Sequence, residues 1–126
     1  MSAPQALVGW HRVVEARDAS LLDGLLADDC VFRSPAVHSP QEGKALTTAY
    51  LGAALGVLGP TLAYRHEWFD ASSAVLEFEA EIDGLSVHGV DMLRWNDEGQ
   101  LTEFTVMVRP YKALTKLMEL MVAELA

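Results

Sequence analysis

The chain has 126 residues, 51% of them apolar, and a formal net charge of −9, enough for one domain that buries roughly two thirds of its unfolded surface. The acidic balance repels phosphate backbones and no cluster of Lys or Arg offers a footprint for them, which excludes nucleic acid as a partner. Charges interrupt every apolar run before it reaches the roughly 18 residues of a membrane span, which excludes a transmembrane protein.

Residues 1–126 are expected to fold as a single domain, without repeats or linkers. The single Cys30 has no partner for an internal disulfide, and MSAPQALVGWHRVVEARD places charges where a signal peptide needs an apolar stretch. A cytoplasmic location is therefore expected, with Cys30 packed as a small hydrophobe.

In chain order, Ala6, Leu7, Trp10, Val13 and Val14 recur at spacings of three and four and predict a helix ending near Arg17. A second, short helix follows, capped by Asp18 or Ser20 and buried through Leu21, Leu22, Leu25 and Leu26, with Asp28-Asp29 stopping it. A short strand is expected over Cys30–Ser34. The connection from Ser34 to Gly43 then leads into a third helix, whose stripe is Leu46, Ala49, Tyr50, Ala53 and Val57 and which Gly59-Pro60 ends.

Beyond Pro60 the period changes to two: Leu76, Phe78, Ala80 and Ile82 alternate with Val75, Glu77, Glu79 and Glu81. Turn signals at Asp70-Ala71-Ser72, Asp83-Gly84 and Asn96-Asp97-Glu98-Gly99 divide this part into four long strands. Such short connections demand antiparallel neighbours. Gly89, inside a strand, marks a bend or a close-approach point. Pro110 opens a last helix with Leu114, Leu117, Met118, Met121, Val122 and Leu125 as its stripe. The order predicts an α+β fold with helices gathered on one face of an antiparallel sheet.

This order, with "LLADDCVFRSP", "EGKAL" and "GVDMLRWNDEGQLTEFTVMVRP", resembles the nuclear transport factor 2-like superfamily (the NTF2-like or cystatin-like fold), and within it the SnoaL-like domains. The resemblance implies a cone-shaped curved sheet with helices on its concave face, enclosing a pocket. It does not imply one activity, since this scaffold hosts isomerases, dehydratases, cyclases, epoxide hydrolases and non-catalytic binding modules.

The chain also resembles the ketosteroid isomerases from its first helix through Gly43. By that resemblance the tyrosine that donates to the developing oxyanion falls on Trp10, which donates but cannot titrate. The proton-shuttling carboxylate falls on Ser34, which is no base. The protonated aspartate that donates beside the tyrosine falls on Asp91, and a supporting tyrosine falls on Tyr50. Limonene-epoxide hydrolases are similar too, with an Asp-Arg-Asp arrangement for which only Asp91, Arg33 and Arg109 are on offer.

Asp91 lies in the apolar set Leu85, Val87, Gly89 and Leu93 at period two and should face the enclosed side. A carboxylate there is either an acid or base with a raised pKa, or a buried group satisfied by Trp10 N–H, a tyrosine hydroxyl or backbone donors. His38 sits in the connection near the expected pocket mouth and is the second candidate for proton transfer. Trp10, Ser34, Tyr50, Phe78, Phe104 and Val106 are the candidate substrate-binding residues. His11, His38, His66 and His88 show no HxxxH or HxH spacing, so no metal site is expected, nor any cofactor.

Met107 and Arg109 should face the outer side of the sheet with Trp68 and Trp95, where two copies would pair as a homodimer. Two functions remain open. One is a cofactor-independent acid–base enzyme of isomerase, cyclase or lyase type acting on an apolar, oxygen-bearing small molecule. The other is a non-catalytic ligand-binding or dimerisation module.

Overall fold

Ala6, Leu7, Trp10 and Val13 are all buried and form the inner stripe of α1 (Gln5–Ala16), which Arg17 ends in the left-handed conformation. The computed structural model describes residues 3–125. After α1 the short second helix divides in two. Ala19–Leu21 is a 3-10 turn capped by Asp18, whose carboxylate accepts the Ser20 N–H at 3.0 Å, and α2 is a single turn, Leu22–Leu25. Leu21, expected inside, is 39% exposed.

The first strand, β1 (Leu26–Arg33), begins four residues earlier than the sequence pattern indicated. Leu26 pairs with Leu101, and the register shifts before Val31, so that Asp28 and Asp29 bulge into solvent without ending the strand. A two-residue strand, β2 (Gln41–Glu42), pairs antiparallel with β1 and was not foreseen. Then come α3 (Lys44–Leu58), β3 (Ala63–Phe69), β4 (Ser73–Ile82), β5 (Leu85–Trp95), β6 (Leu101–Arg109) and α4 (Tyr111–Leu125).

The six strands form one sheet in the order β2-β1-β6-β5-β4-β3. The meander β3 to β6 is antiparallel as expected, whereas β1 joins β6 in parallel. The expected antiparallel meander is thus extended by one parallel seam, which the chain reaches by crossing back through α3 and the whole meander. Asp83 and Gly84, with φ of 49° and 78°, make the tight β4–β5 turn that the right-handed twist of a hairpin favours.

Burial alternates along β4 and β5. Ala74, Leu76 and Phe78 and then Val87, Asp91, Leu93 and Trp95 face the helices, and their neighbours face away. α3 and α4 pack on that inner face and against each other. The result is an α+β fold with a curved, mostly antiparallel sheet covered by helices on one side.

Two helix faces differ from the sequence pattern. α3 buries Thr47, Leu51, Ala53, Leu55 and Leu58, while Leu46 is 45% exposed; a helix apolar on nearly every side leaves its inward face to packing. α4 buries only Ala113 and Leu117, and leaves Met118 and Val122 at 40% and 67% exposure along an open groove. Trp95, expected on the outer face, is buried, its indole N–H donating to the Ala71 carbonyl at 2.8 Å. It follows Leu93 at period two and so shares the inner side.

Candidate active site

Asp91 sits in the middle of β5, between Leu76 on β4 and Val106 on β6, and is 6% exposed. Its side chain enters a cavity of about 40 Å³ lined by Trp10, Leu55, Tyr64, Phe78, Phe104 and Val106 among others. In an apolar interior the charged form is poorly solvated. Burial accordingly raises the Asp91 pKa to about 7, against the smaller lowering effect of one hydrogen bond from Tyr64.

That partner is the residue the sequence pattern did not single out. The Tyr64 hydroxyl donates to Asp91 Oδ2 at 2.5 Å and accepts the Trp10 indole N–H at 2.9 Å. Burial, then the Asp91 charge, holds the Tyr64 phenol well above its ordinary pKa, so it remains a donor across the working range of pH. Read at period two, Tyr64 would share a face with His66 and Trp68, which are exposed. A register shift between Tyr64 and His66 sets Tyr64 opposite the inward Phe78 and His66 opposite the outward Glu77. The bulge turns the phenol inward, and nothing in the local composition announces it.

The rings are held by edge contacts: Trp10 against Phe104 at 4.7 Å and 65°, and Tyr64 against Phe78 at 6.3 Å and 89°. Gly89 makes room for this. A Cβ there would lie 2.4 Å from the Met107 carbonyl oxygen and 2.6 Å from Phe78 Cζ, the close approach anticipated from the sequence.

Ala54, Leu58 and Val106 separate the cavity from a groove of about 180 Å³ under α4. Phe32, Ser34, Tyr50, Leu117, Met118 and Met121 are among its lining residues. Tyr50 stacks on Phe32 with centroids 5.6 Å apart and makes no hydrogen bond to Asp91. The Ser34 hydroxyl accepts the Ala36 N–H at 2.9 Å and braces the turn.

Trp10, Phe78, Asp91, Phe104 and Val106 thus gather at one cavity, with Ser34 and Tyr50 in the adjoining groove. His38 joins neither: it is exposed on the connection between β1 and β2 and lines neither space. The prolines on either side of it shape a surface turn rather than directing the imidazole inward. The two candidates for the arginine of an Asp-Arg-Asp arrangement also lie elsewhere. Arg33 donates to Glu103 at 2.5 Å, and Arg109 stands 3.4 Å from His88 Nδ1.

Among the other titratable groups, His66 and His88 hold the two oxygens of Glu77 at 2.7 and 2.8 Å on the outer face, and His11 pairs with Glu67 at 2.6 Å. Among the described residues no three His, Cys, Asp or Glu side chains are placed to hold a metal ion. Cys30 is buried, and burial pushes its thiol pKa up. No helix of the described residues is long and apolar enough to cross a membrane.

The scaffold has counterparts in known proteins. A steroid delta-isomerase from Pseudomonas aeruginosa is 38% identical, with 95% of this chain and 88% of that one covered at a TM-score of 0.90. An uncharacterized conserved bacterial protein with a cystatin-like fold from Silicibacter pomeroyi DSS-3 is 30% identical, with 94% and 84% covered at a TM-score of 0.88. A putative SnoaL-like polyketide cyclase from Jannaschia sp. CCS1, 11% identical, shares the fold with 93% and 96% covered at a TM-score of 0.72. No functionally curated protein matches the sequence. The SnoaL-like domain family matches residues 7–104, and the chain, with its NTF2-like fold, belongs to that family.

Proposed function

We propose that this protein is a cofactor-independent acid–base enzyme acting on an apolar small molecule that carries oxygen, with Asp91 as the proton donor or acceptor. The observation that carries the proposal is a carboxyl group buried in an apolar cavity and, among the described residues, hydrogen-bonded through one of its oxygens, a setting that pushes its pKa up to about 7. A group poised there gives up and takes back a proton with little penalty in either direction. Tyr64 and Trp10 position it. The groove under α4 would receive the apolar body of the substrate.

The 38% identical steroid delta-isomerase raises the question of steroid isomerisation. Moving a proton between two carbons needs a base beside the substrate. The position that supplies it in the ketosteroid isomerases is Ser34 here, and its hydroxyl is occupied with the Ala36 N–H. We therefore expect no significant conversion of a 5-ene-3-ketosteroid. Rapid conversion by the unmodified protein, abolished by Asp91→Asn, would overturn that assignment.

The test of the wider proposal begins with mass spectrometry of any molecule retained by the purified protein, followed by turnover of that molecule and of a panel of apolar alcohols, ketones and epoxides. Asp91→Asn should keep the fold and lower turnover by about 10²- to 10⁴-fold, the usual contribution of a positioned acid or base. Unchanged turnover in a folded variant would remove the proposal. A second reading, a binding module without catalysis, is favoured by one observation: the space beside Asp91 is only about 40 Å³. A retained ligand recovered chemically unchanged, with no member of the panel converted, would establish it.

Trp68 and Met107, 58% and 54% exposed on the outer side of the sheet, extend the proposal to a homodimer through that face. Sedimentation should give twice the chain mass of 13.8 kDa, and a concentration-independent monomer would refute it. The proposed location is the cytoplasm, where a lone buried thiol such as Cys30 stays reduced.

A further inference from the structure

The polar inventory of the Asp91 cavity is short enough to count hydrogen by hydrogen. An indole N–H donates and cannot accept, and a phenol has one hydrogen to give. The Trp10 hydrogen is spent on Tyr64 Oη at 2.9 Å, and the Tyr64 hydrogen is spent on Asp91 Oδ2 at 2.5 Å. Asp91 Oδ1 has no hydrogen-bond partner among the described residues. α3, β4 and β6 contribute only aliphatic and phenyl groups to the wall, among them Leu51, Leu55, Leu58, Phe78 and Phe104. With the carboxylate ionised, the cavity therefore presents an acceptor to a ligand and no free donor.

We infer that this cavity, read as the ligand site proposed above, selects the hydroxyl or N–H end of an elongated apolar molecule, and admits a carbonyl end only together with one proton from solution. That proton lands on Asp91, which then donates to the carbonyl directly or donates to Tyr64 and releases the phenol hydrogen to it. In both cases one hydrogen is gained. While the Tyr64–Asp91 bond is kept the site offers one donor, not the two converging donors of an oxyanion hole.

The dimensions set the rest of the ligand. About 40 Å³ beside Asp91 accommodates little more than a polar head group, while about 180 Å³ of groove beyond Ala54, Leu58 and Val106 takes an apolar body. The charged groups packed around the cluster do not enter the cavity. His11 lies against the Tyr64 ring at 5.4 Å and is held by Glu67, and Glu15 and Arg17 line an outer cleft on the far side of Tyr64. On β4, Glu77 faces away, towards His66 and His88. Asp91 is then the group whose ionisation, centred near pH 7, reverses the hydrogen-bonding sense of the site.

Two probes of similar apolar body test this: 5-phenylindole, whose N–H donates and cannot accept, and 4-acetylbiphenyl, which only accepts. Calorimetric titrations of the intact protein between pH 6 and 8 should show the indole binding about tenfold more tightly at the higher pH. The ketone should bind about tenfold more weakly, as linkage to one group titrating near 7 requires. Ketone binding at pH 8 should also take up a proton, visible as a heat that depends on the buffer. Asp91→Asn should flatten both profiles, because an amide offers donor and acceptor at every pH. Parallel profiles, two flat profiles, or no binding of either probe would overturn the inference. Opposed profiles without turnover of any substrate would uphold it while the catalytic proposal fails; parallel profiles with turnover that depends on Asp91 would do the reverse.

Discussion

Two carboxylates on adjacent strands of one sheet have moved in opposite directions. Asp91 on β5 points into the helix-covered face, where burial raises its pKa to about 7. Glu77 on β4 points out, where hydrogen bonds from His88 and His66 lower its pKa from the ordinary value. The acid chemistry is nearly the same in both. What differs is that the inner face offers one phenol hydrogen and little room for solvent, whereas the outer face offers two imidazoles and open solvent. Only the inner carboxylate keeps a proton to exchange near neutrality.

The largest consequence concerns stability. Asp91 is more basic folded than unfolded, so between about pH 4 and 7 the folded state holds the extra proton and stability falls as pH rises. A shift from 3.8 to about 7 amounts to about 4 kcal/mol at most. Urea denaturation at pH 5 and pH 8 should show this slope in the parent protein and lose it in Asp91→Asn. An equal slope in both would place the titration elsewhere.

Gly89→Ala tests whether the inner face depends on backbone approach. Its Cβ would meet the Met107 carbonyl oxygen at 2.4 Å and Phe78 at 2.6 Å. A loss of about 2–3 kcal/mol is expected from such overpacking, read as a lower urea midpoint. A neutral result would mean that Phe78 moves freely and that the cavity wall is soft.

Tyr64→Phe sharpens the contrast by removing the one donor to Asp91. It should cost about 1–2 kcal/mol through the unpaired Trp10 N–H and carboxylate. The Asp91 carboxyl resonance should then titrate at a higher pH than in the parent protein. A lower titration point would mean that a group other than Tyr64 stabilises the ionised form.

The smallest effect is expected outside. Glu77 has a depressed pKa, so its contribution is present above its unfolded value near 4.5 and is lost as pH falls through its lower folded pKa. Glu77→Gln should flatten the acid limb of the stability curve and lower the plateau above it slightly, while leaving the slope around pH 7 unchanged. A change at pH 7 in ligand affinity would show that the two faces are coupled.

Much of the fold was legible because apolar periodicity is a local property. The alternation of Leu76 and Phe78 with Glu77 and Glu79, and of Val87, Gly89, Asp91 and Leu93 with their neighbours, follows from the two faces of a strand. It placed Asp91 inside correctly. The same logic assigns Trp10 to the inner stripe of α1. It fails at β1, where Asp28-Asp29 reads as a stop although a bulge carries both residues outward without ending the strand. On α3, apolar side chains on nearly all sides leave the buried face unmarked. On α4, a periodic stripe was present, but the groove leaves most of it uncovered.

The sequence by itself determined the kinds of elements, their order and the inward direction of Asp91, because each depends on spacings of two to four residues. Only the tertiary structure decided the company Asp91 keeps. Tyr64 reaches it across 27 positions of chain and Trp10 reaches Tyr64 across 54. The bulge that turns Tyr64 inward arises from how β3 pairs with β4, and the exclusion of His38 arises from where the proline turn lies on the surface. The pKa of a buried carboxylate depends on the solvation and donors around it, and those are supplied by segments that meet only when the sheet closes over the helices.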